Sequence, residues 1–119
     1  AGLNYPITEA ARNACTAYIP DDVIVIDGTN EIKYESGQNY LVKLESSITS
    51  YGNNNKFYAE GGTVNNYGNE SLIYLENYSS YVSSKEATKE TIYTEANTNI
   101  DNEASYSKVI PCTNITFVY

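Results

Sequence analysis

The chain has 119 residues, with 15 acidic and 7 basic side chains, a net charge of −8, and neither histidine nor tryptophan. That length fits one domain with a modest core, and the acidity without a basic cluster excludes nucleic-acid and polybasic membrane-surface binding. With no His and only two distant Cys, neither the common zinc sites nor a histidine-based catalytic triad can be assembled.

Charged residues are 18% of the chain, and their usual place is taken by 15 Asn, 11 Ser, 11 Thr and 13 Tyr. A surface wetted by uncharged hydrogen-bonding groups suits a protein outside the cell. The chain contains no Met, so Ala1 is expected to follow a cleavage site or a trimmed end. The longest aliphatic run, Val23 to Ile26, is far too short to span a membrane.

In chain order, AGLNYPITEA comes first, with Leu3, Tyr5 and Ile7 alternating against Gly2, Asn4 and Pro6 as in a strand. Thr8 is a candidate N-cap for a short helix over residues 9–17. Residues 22–27 (DVIVID) read as a buried strand, and Asp27-Gly28 predicts a hairpin back into residues 31–35. In residues 38–46, Tyr40, Val42 and Leu44 share one face of a strand. After the loop at 51–55, residues 56–60 and 63–67 are expected to form a hairpin about Gly61-Gly62. Residues 71–76 (SLIYLE) are apolar on both faces and predict a central strand.

Residues 84–90 predict one helical turn or an exposed loop, 91–95 a strand, and 97–107 a polar loop. The final CTNITFVY places Ile115, Phe117 and Tyr119 on one side. No internal repeat is evident. About eight short strands, roughly ten residues apart, point to an all-β sandwich.

An even cysteine count in a chain read as exported favours a Cys15–Cys112 disulfide over two buried thiols. It divides the chain into a tail and connector (1–14) and a head domain (15–119). Catalysis is not expected: no spacing singles out a carboxylate pair, and Gly61-Gly62 lacks the phosphate-loop pattern. The acidic run at 27–31 fails the calcium-loop spacing and reads as a turn. No metal or cofactor is expected. Asn69, Asn77 and Asn114 open glycosylation sequons, about as many as the composition yields by chance. The tyrosines suit half-buried strand positions, with a sugar-binding face as the functional alternative.

Residues 1–14 lie upstream of the disulfide and are able to leave the head without opening it. Inserted into a neighbouring copy, Leu3, Tyr5 and Ile7 would act as donor-strand knobs and build an open head-to-tail polymer. Pro6 equally suits an edge strand of the domain's own sheet. AGLNYPITEA, the three sequons and the Asn/Ser/Thr/Tyr texture resemble subunits of extracellular filaments joined by donor-strand complementation, in particular the archaeal thread. Chaperone–usher pilins match less well, because Val118 is penultimate and the cysteines lie far apart. The resemblance implies an Ig-like, pilin-like sandwich, a homopolymer at the cell surface acting in adhesion or biofilm, and possession of N-linked glycans. The alternatives are a monomeric carbohydrate-binding or adhesin module and a virion surface protein.

Overall fold

The structure is a computed structural model, described here for Cys15 and residues 19–112. Eleven short strands follow one another: β1 (Ile24–Ile26), β2 (Asn30–Lys33), β3 (Asn39–Lys43), β4 (Ser47–Ser50), β5 (Lys56–Glu60), β6 (Thr63–Asn66), β7 (Leu72–Leu75), β8 (Ser80–Ser83), β9 (Thr91–Thr94), β10 (Asn99–Asn102) and β11 (Lys108–Pro111). None of the strand ladders joins chain neighbours. Odd strands form a six-stranded sheet in the order β1-β3-β5-β7-β9-β11, and even strands a five-stranded sheet in the order β10-β8-β6-β4-β2. Every ladder is parallel. The molecule is a β-solenoid of about five turns.

This corrects the expected Ig-like sandwich, although the all-β class holds. Asp27-Gly28 and Gly61-Gly62 do not close hairpins. Each is a corner that carries the chain from one sheet to the other, so β2 pairs with β4 and β6 with β4 and β8. The same turn residues serve both geometries, because a hairpin and a solenoid corner alike need backbone at positive φ.

Those corners are regular. Between odd and even strands the left-handed residues are Gly28, Glu45, Gly61, Tyr78 and Asn97; between even and odd strands they are Gly37, Asn54, Glu70, Lys89 and Tyr106. Each turn therefore has two left-handed residues, one per corner, recurring where the rungs recur. Seven of these ten are not glycine, which carries a conformational cost of roughly 1–2 kcal/mol each.

The register makes the core. Tyr40, Phe57, Ile73 and Ile92 stack in one inward file of the odd sheet, and Val42, Ala59 and Leu75 in another. Ile48, Val64 and Tyr81 face them from the even sheet, all fully buried. Leu44, expected to share the Tyr40/Val42 face, lies past the end of β3 and is exposed. Residues 97–107, expected to be a loop, contain β10, and β4, β8 and β11 had no counterpart in the expected strands; the strand expected to be buried at 22–27 is β1, whose Ile24 and Val25 are exposed because it is the first rung.

The outer face of the odd sheet is also buried. Leu41, Tyr58, Tyr74, Tyr93 and Ile110 form a second apolar file there, packed against Cys15, Ile19, Val23, Leu72 and Cys112. Cys15 and Cys112 are joined in a disulfide, with Cα atoms 5.5 Å apart across 97 residues of sequence. It fastens the start of the described chain beside the last rung. Such a bond fits an oxidising environment.

Two outcomes test this architecture. Replacing both cysteines by serine is expected to lower unfolding free energy by up to about 4–5 kcal/mol, read from urea denaturation of the variant against the oxidised parent. Tyr78 is exposed and held at φ 67°, so Tyr78→Gly is expected to stabilise by about 0.5–1 kcal/mol. Relief of the left-handed cost there outweighs the added freedom of the unfolded chain.

Candidate functional site

Positions two and four residues apart along an extended chain point the same way, and the rungs repeat them every 4.7–4.9 Å or so along the solenoid axis. On the outer face of the even sheet this alternation produces three files. The first is Asn30, Ser47, Thr63, Ser80 and Asn99; the second is Ile32, Thr49, Asn65, Val82 and Asp101. The third lies just beyond the strands: Tyr34, Tyr51, Tyr67, Ser84 and Glu103, held in step by backbone bonds such as Tyr51 N to Lys33 O (2.9 Å) and Tyr67 N to Ser50 O (2.9 Å).

The first four rungs of this face carry no charged residue. The hydroxyl of Ser47 donates to Asn30 Oδ1, and Asn65 Nδ2 donates to the Ile48 carbonyl at 3.4 Å. The two sheets are thus finished differently on the outside. The odd sheet has a buried apolar file, whereas the even sheet presents hydroxyls and amides, the exposed aliphatics Ile32 and Val82, and partly exposed aromatics.

Tyr34, Tyr51 and Tyr67 stack on one another, with ring centroids 5.4 and 4.8 Å apart and planes within 13° and 20°. Stacking turns ring faces toward one another and leaves edges and hydroxyls to the solvent. Tyr34 and Tyr67, at the two ends, each have one face with no ring against it in this row, and of these Tyr34 is the more open at 72% exposed against 37%. The row therefore offers hydrogen-bonding edges more than flat platforms for sugar rings.

Behind it the corners are tight. A Cβ on Gly68 would fall 1.6 Å from the Gly52 carbonyl oxygen, and one on Gly52 would fall 1.8 Å from that of Glu35. The repeated Tyr-Gly-Asn at 51–53 and 67–69 follows from this: the tyrosine faces out and the glycine lets one corner sit on the next.

Inside these corners lies a polar network. Asn55 is fully buried; its Oδ1 accepts from Gln38 N (2.8 Å), and its Nδ2 donates to the Glu35 carbonyl (2.9 Å) and Ser50 Oγ (3.2 Å). Glu90 is 1% exposed. Its Oε1 accepts from Asn66 Nδ2 (2.9 Å), Ser83 Oγ (2.9 Å) and the Tyr81 hydroxyl, while Oε2 accepts from Ser107 Oγ at 3.3 Å. Burial, then the Glu90 charge, pushes the Tyr81 hydroxyl well above the ordinary tyrosine range. The arrangement is a fully engaged carboxylate that fixes β6, β8 and the two following corners, with no opening for a substrate.

At the opposite corner a shallow groove of about 450 Å³ is lined by Lys43, Leu44, Glu60, Gly61, Glu76 and neighbouring side chains. Lys43 and Glu60 approach to 3.5 Å. Glu76 follows Glu60 on the next rung, and its carboxyl is raised above its ordinary 4.5, first by burial and then by the charges of Glu60 and Glu95. The Tyr74 hydroxyl donates to Glu95 Oε1 at 3.0 Å and is held neutral well into alkaline solution, by burial first. Among the described residues no group of three or more His, Cys, Asp or Glu side chains is placed to hold a metal. No described helix is long and apolar enough to cross a membrane.

Of the residues singled out from the sequence, Cys15 and Cys112 are brought together. Asn69 and Asn77 are exposed at corners, and Asn69 Oδ1 accepts from the backbone and hydroxyl of Thr88, both at 3.0 Å. Leu3, Tyr5, Ile7, Asn114, Ile115, Phe117 and Tyr119 lie outside the described residues, as does nearly all of the helix expected at 9–17. The three-file face was missed. Its signal was the S-I-T-S-Y-G-N and T-V-N-N-Y-G-N pair beginning at Ser47 and Thr63. No protein-family model, curated protein or solved structure matches the chain.

Removing Glu90 strands several buried donors, so Glu90→Ala is expected to cost about 3–5 kcal/mol and Glu90→Gln about 1 kcal/mol, by chemical denaturation. For Glu76 the folded-state pKa lies above the unfolded one, so the native state binds the extra proton. The contribution of Glu76 to stability is then fully present below about 4.5 and is lost as pH rises through the folded value. Glu76→Gln is expected to remove that decline, seen as a flatter profile of melting temperature against pH.

Proposed function

We propose that this chain is an extracellular, non-catalytic binding module that adheres to a neutral, hydroxyl-rich polymer, an extended polysaccharide, through the outer face of its even sheet. The observation that supports this is the contrast between two outer faces of one solenoid. One is apolar and buried, whereas the other is uncharged over four rungs and built mainly from Ser, Thr, Asn and Tyr, with Ile32 and Val82 among them.

That composition is the one that recognition surfaces use: tyrosine gives rigid amphipathic area at low entropic cost, and Ser and Asn give adaptable hydrogen bonds. The rungs repeat every 4.8 Å or so along the axis, so an extended polymer laid along it meets similar hydrogen-bonding groups on successive rungs. Since the protein has net charge −8, polyanionic glycans would be repelled and neutral ones tolerated.

The test is co-sedimentation with insoluble neutral β-glucans, chitin and mannan beside a sulfated and a uronate polymer. Binding to at least one neutral polymer and to neither anionic one is expected. Thr49→Glu with Thr63→Glu should weaken it at least about tenfold, equivalent to about 1.4 kcal/mol, while Asn77→Glu, at a corner, leaves it unchanged. No binding, or binding indifferent to the Thr49/Thr63 pair, would overturn the reading.

A second reading, a structural subunit of a surface filament, is favoured by a different observation: exposed apolar side chains gather on the first and last rungs. Of the eleven large exposed hydrophobic residues among those described, Ile24, Val25, Ile32, Tyr34, Tyr106 and Val109 lie there.

A further inference from the structure

We propose that the stacked tyrosines beside the even sheet are a site of oxidative crosslinking, at which Tyr51 and Tyr67 join as dityrosine and tie two rungs together covalently. The inference does not depend on polysaccharide binding.

Composition supplies the first reason. The chain has no Met, Trp or His, and its two cysteines are already joined to each other. Tyrosine is therefore the side chain left to give up an electron readily to a peroxide-driven oxidant. Among the described tyrosines, Tyr40, Tyr58, Tyr74, Tyr81 and Tyr93 are buried, out of reach of an oxidant in solution. Tyr34, Tyr51, Tyr67, Tyr78 and Tyr106 are exposed.

Geometry supplies the second reason. Tyr51 and Tyr67 directly follow Ser50 and Asn66, which are register partners on β4 and β6. Both side chains thus leave equivalent places on adjoining rungs, about 4.8 Å apart along the axis. Their ring centroids are 4.8 Å apart with planes within 20°, and Tyr34 continues the stack at 5.4 Å. Behind them the close seating of Gly68 on the Gly52 carbonyl holds the two backbones at that spacing. A ring carbon ortho to one hydroxyl therefore has its counterpart on the next rung at about the centroid separation. Tilting about the Cα–Cβ and Cβ–Cγ bonds closes the remaining distance, and the exposed ring edges leave room for it.

Exposure alone does not select these residues. Tyr78 and Tyr106 are more exposed than any tyrosine of the row. Yet the corresponding corners of the preceding rung, at 61–62 and 84–90, hold no tyrosine. Proximity sets the row apart, since reactants held side by side combine far faster than the same groups meeting by diffusion.

The chemistry balances with one peroxide. Each phenol loses one electron and its hydroxyl proton, giving two tyrosyl radicals. These form one carbon–carbon bond between ortho carbons, and the hydrogen on each of those carbons moves to its oxygen, restoring both phenols. Hydrogen peroxide, acting through a haem peroxidase, takes up the two electrons and two protons and leaves as two waters. The product is a second closure beside Cys15–Cys112, and one that thiol reductants do not open.

The test treats the dilute, disulfide-intact full chain with a haem peroxidase and limiting hydrogen peroxide, then separates monomer from dimer by size exclusion. The monomer is expected to gain dityrosine fluorescence, to lose the mass of two hydrogen atoms, and to keep both changes under a thiol reductant. Lys56 lies between the two tyrosines, so trypsin places them in different peptides, and mass spectrometry should find those peptides joined through Tyr51 and Tyr67. Tyr51→Phe keeps a ring in the stack and should lower monomer dityrosine at least about tenfold, with circular dichroism unchanged. Tyr78→Phe and Tyr106→Phe should leave it as in the parent. Dityrosine confined to dimers would overturn the proposal. So would a monomer crosslink that maps outside the Tyr34–Tyr51–Tyr67 row or survives Tyr51→Phe undiminished.

Discussion

Each strand here finds its hydrogen-bond partner one full turn away along the chain, 16 to 19 residues distant, and that register depends on two left-handed corners per turn. If one corner gained or lost a residue, the next strand would present the wrong face, because side chains alternate with period two. The buried apolar file, the polar network about Glu90 and the tyrosine row all inherit their alignment from this one backbone constraint. The chain meets it with seven non-glycine residues at positive φ, a cost that rung-on-rung packing outweighs.

Stacking identical positions has a further consequence. A solenoid turn cannot bury its own apolar face, so neighbouring turns do it for one another. Interior files therefore hold like above like: Tyr40 on Phe57, with rings 5.6 Å apart, then Ile73 and Ile92. Where the files turn polar the same logic gives Asn55 at one corner and Asn66 with Glu90 at another. Two buried hydroxyls, those of Tyr40 and Ser71, have no hydrogen-bond partner among the described residues. They mark where side-chain satisfaction yields to the demand that a rung keep its place.

The outside of the solenoid is where its rungs are free to differ. On the odd sheet that freedom is spent on apolar groups covered by the segment that the Cys15–Cys112 disulfide anchors. On the even sheet it gives an array that is uncharged over its first four rungs. Charge is concentrated instead at the corners, as in the Lys43–Glu60–Glu76 row. A repeated backbone thus presents several chemically distinct surfaces from one short chain.

The sequence by itself determined the all-β class, seven of the eleven described strands, the exclusion of histidine and usual zinc chemistry, and the disulfide pairing. Strands at 56–60 and 91–94 follow directly from runs of β-branched and aromatic residues bounded by Gly, Asn and Ser. What it left open was which strand pairs with which. Asp27-Gly28 and Gly61-Gly62 have the same composition whether the chain doubles back or turns a corner. The repeat was hidden because its offsets vary between 16 and 19 and its files conserve direction and polarity more than identity. Tyr67 is followed in its file by Ser84, and Phe57 by Ile73. Only the tertiary structure decided for parallel rungs, because only there do Ile48, Val64 and Tyr81 fall into one buried line and Ser47, Thr63 and Ser80 into one outward-facing, half-buried line.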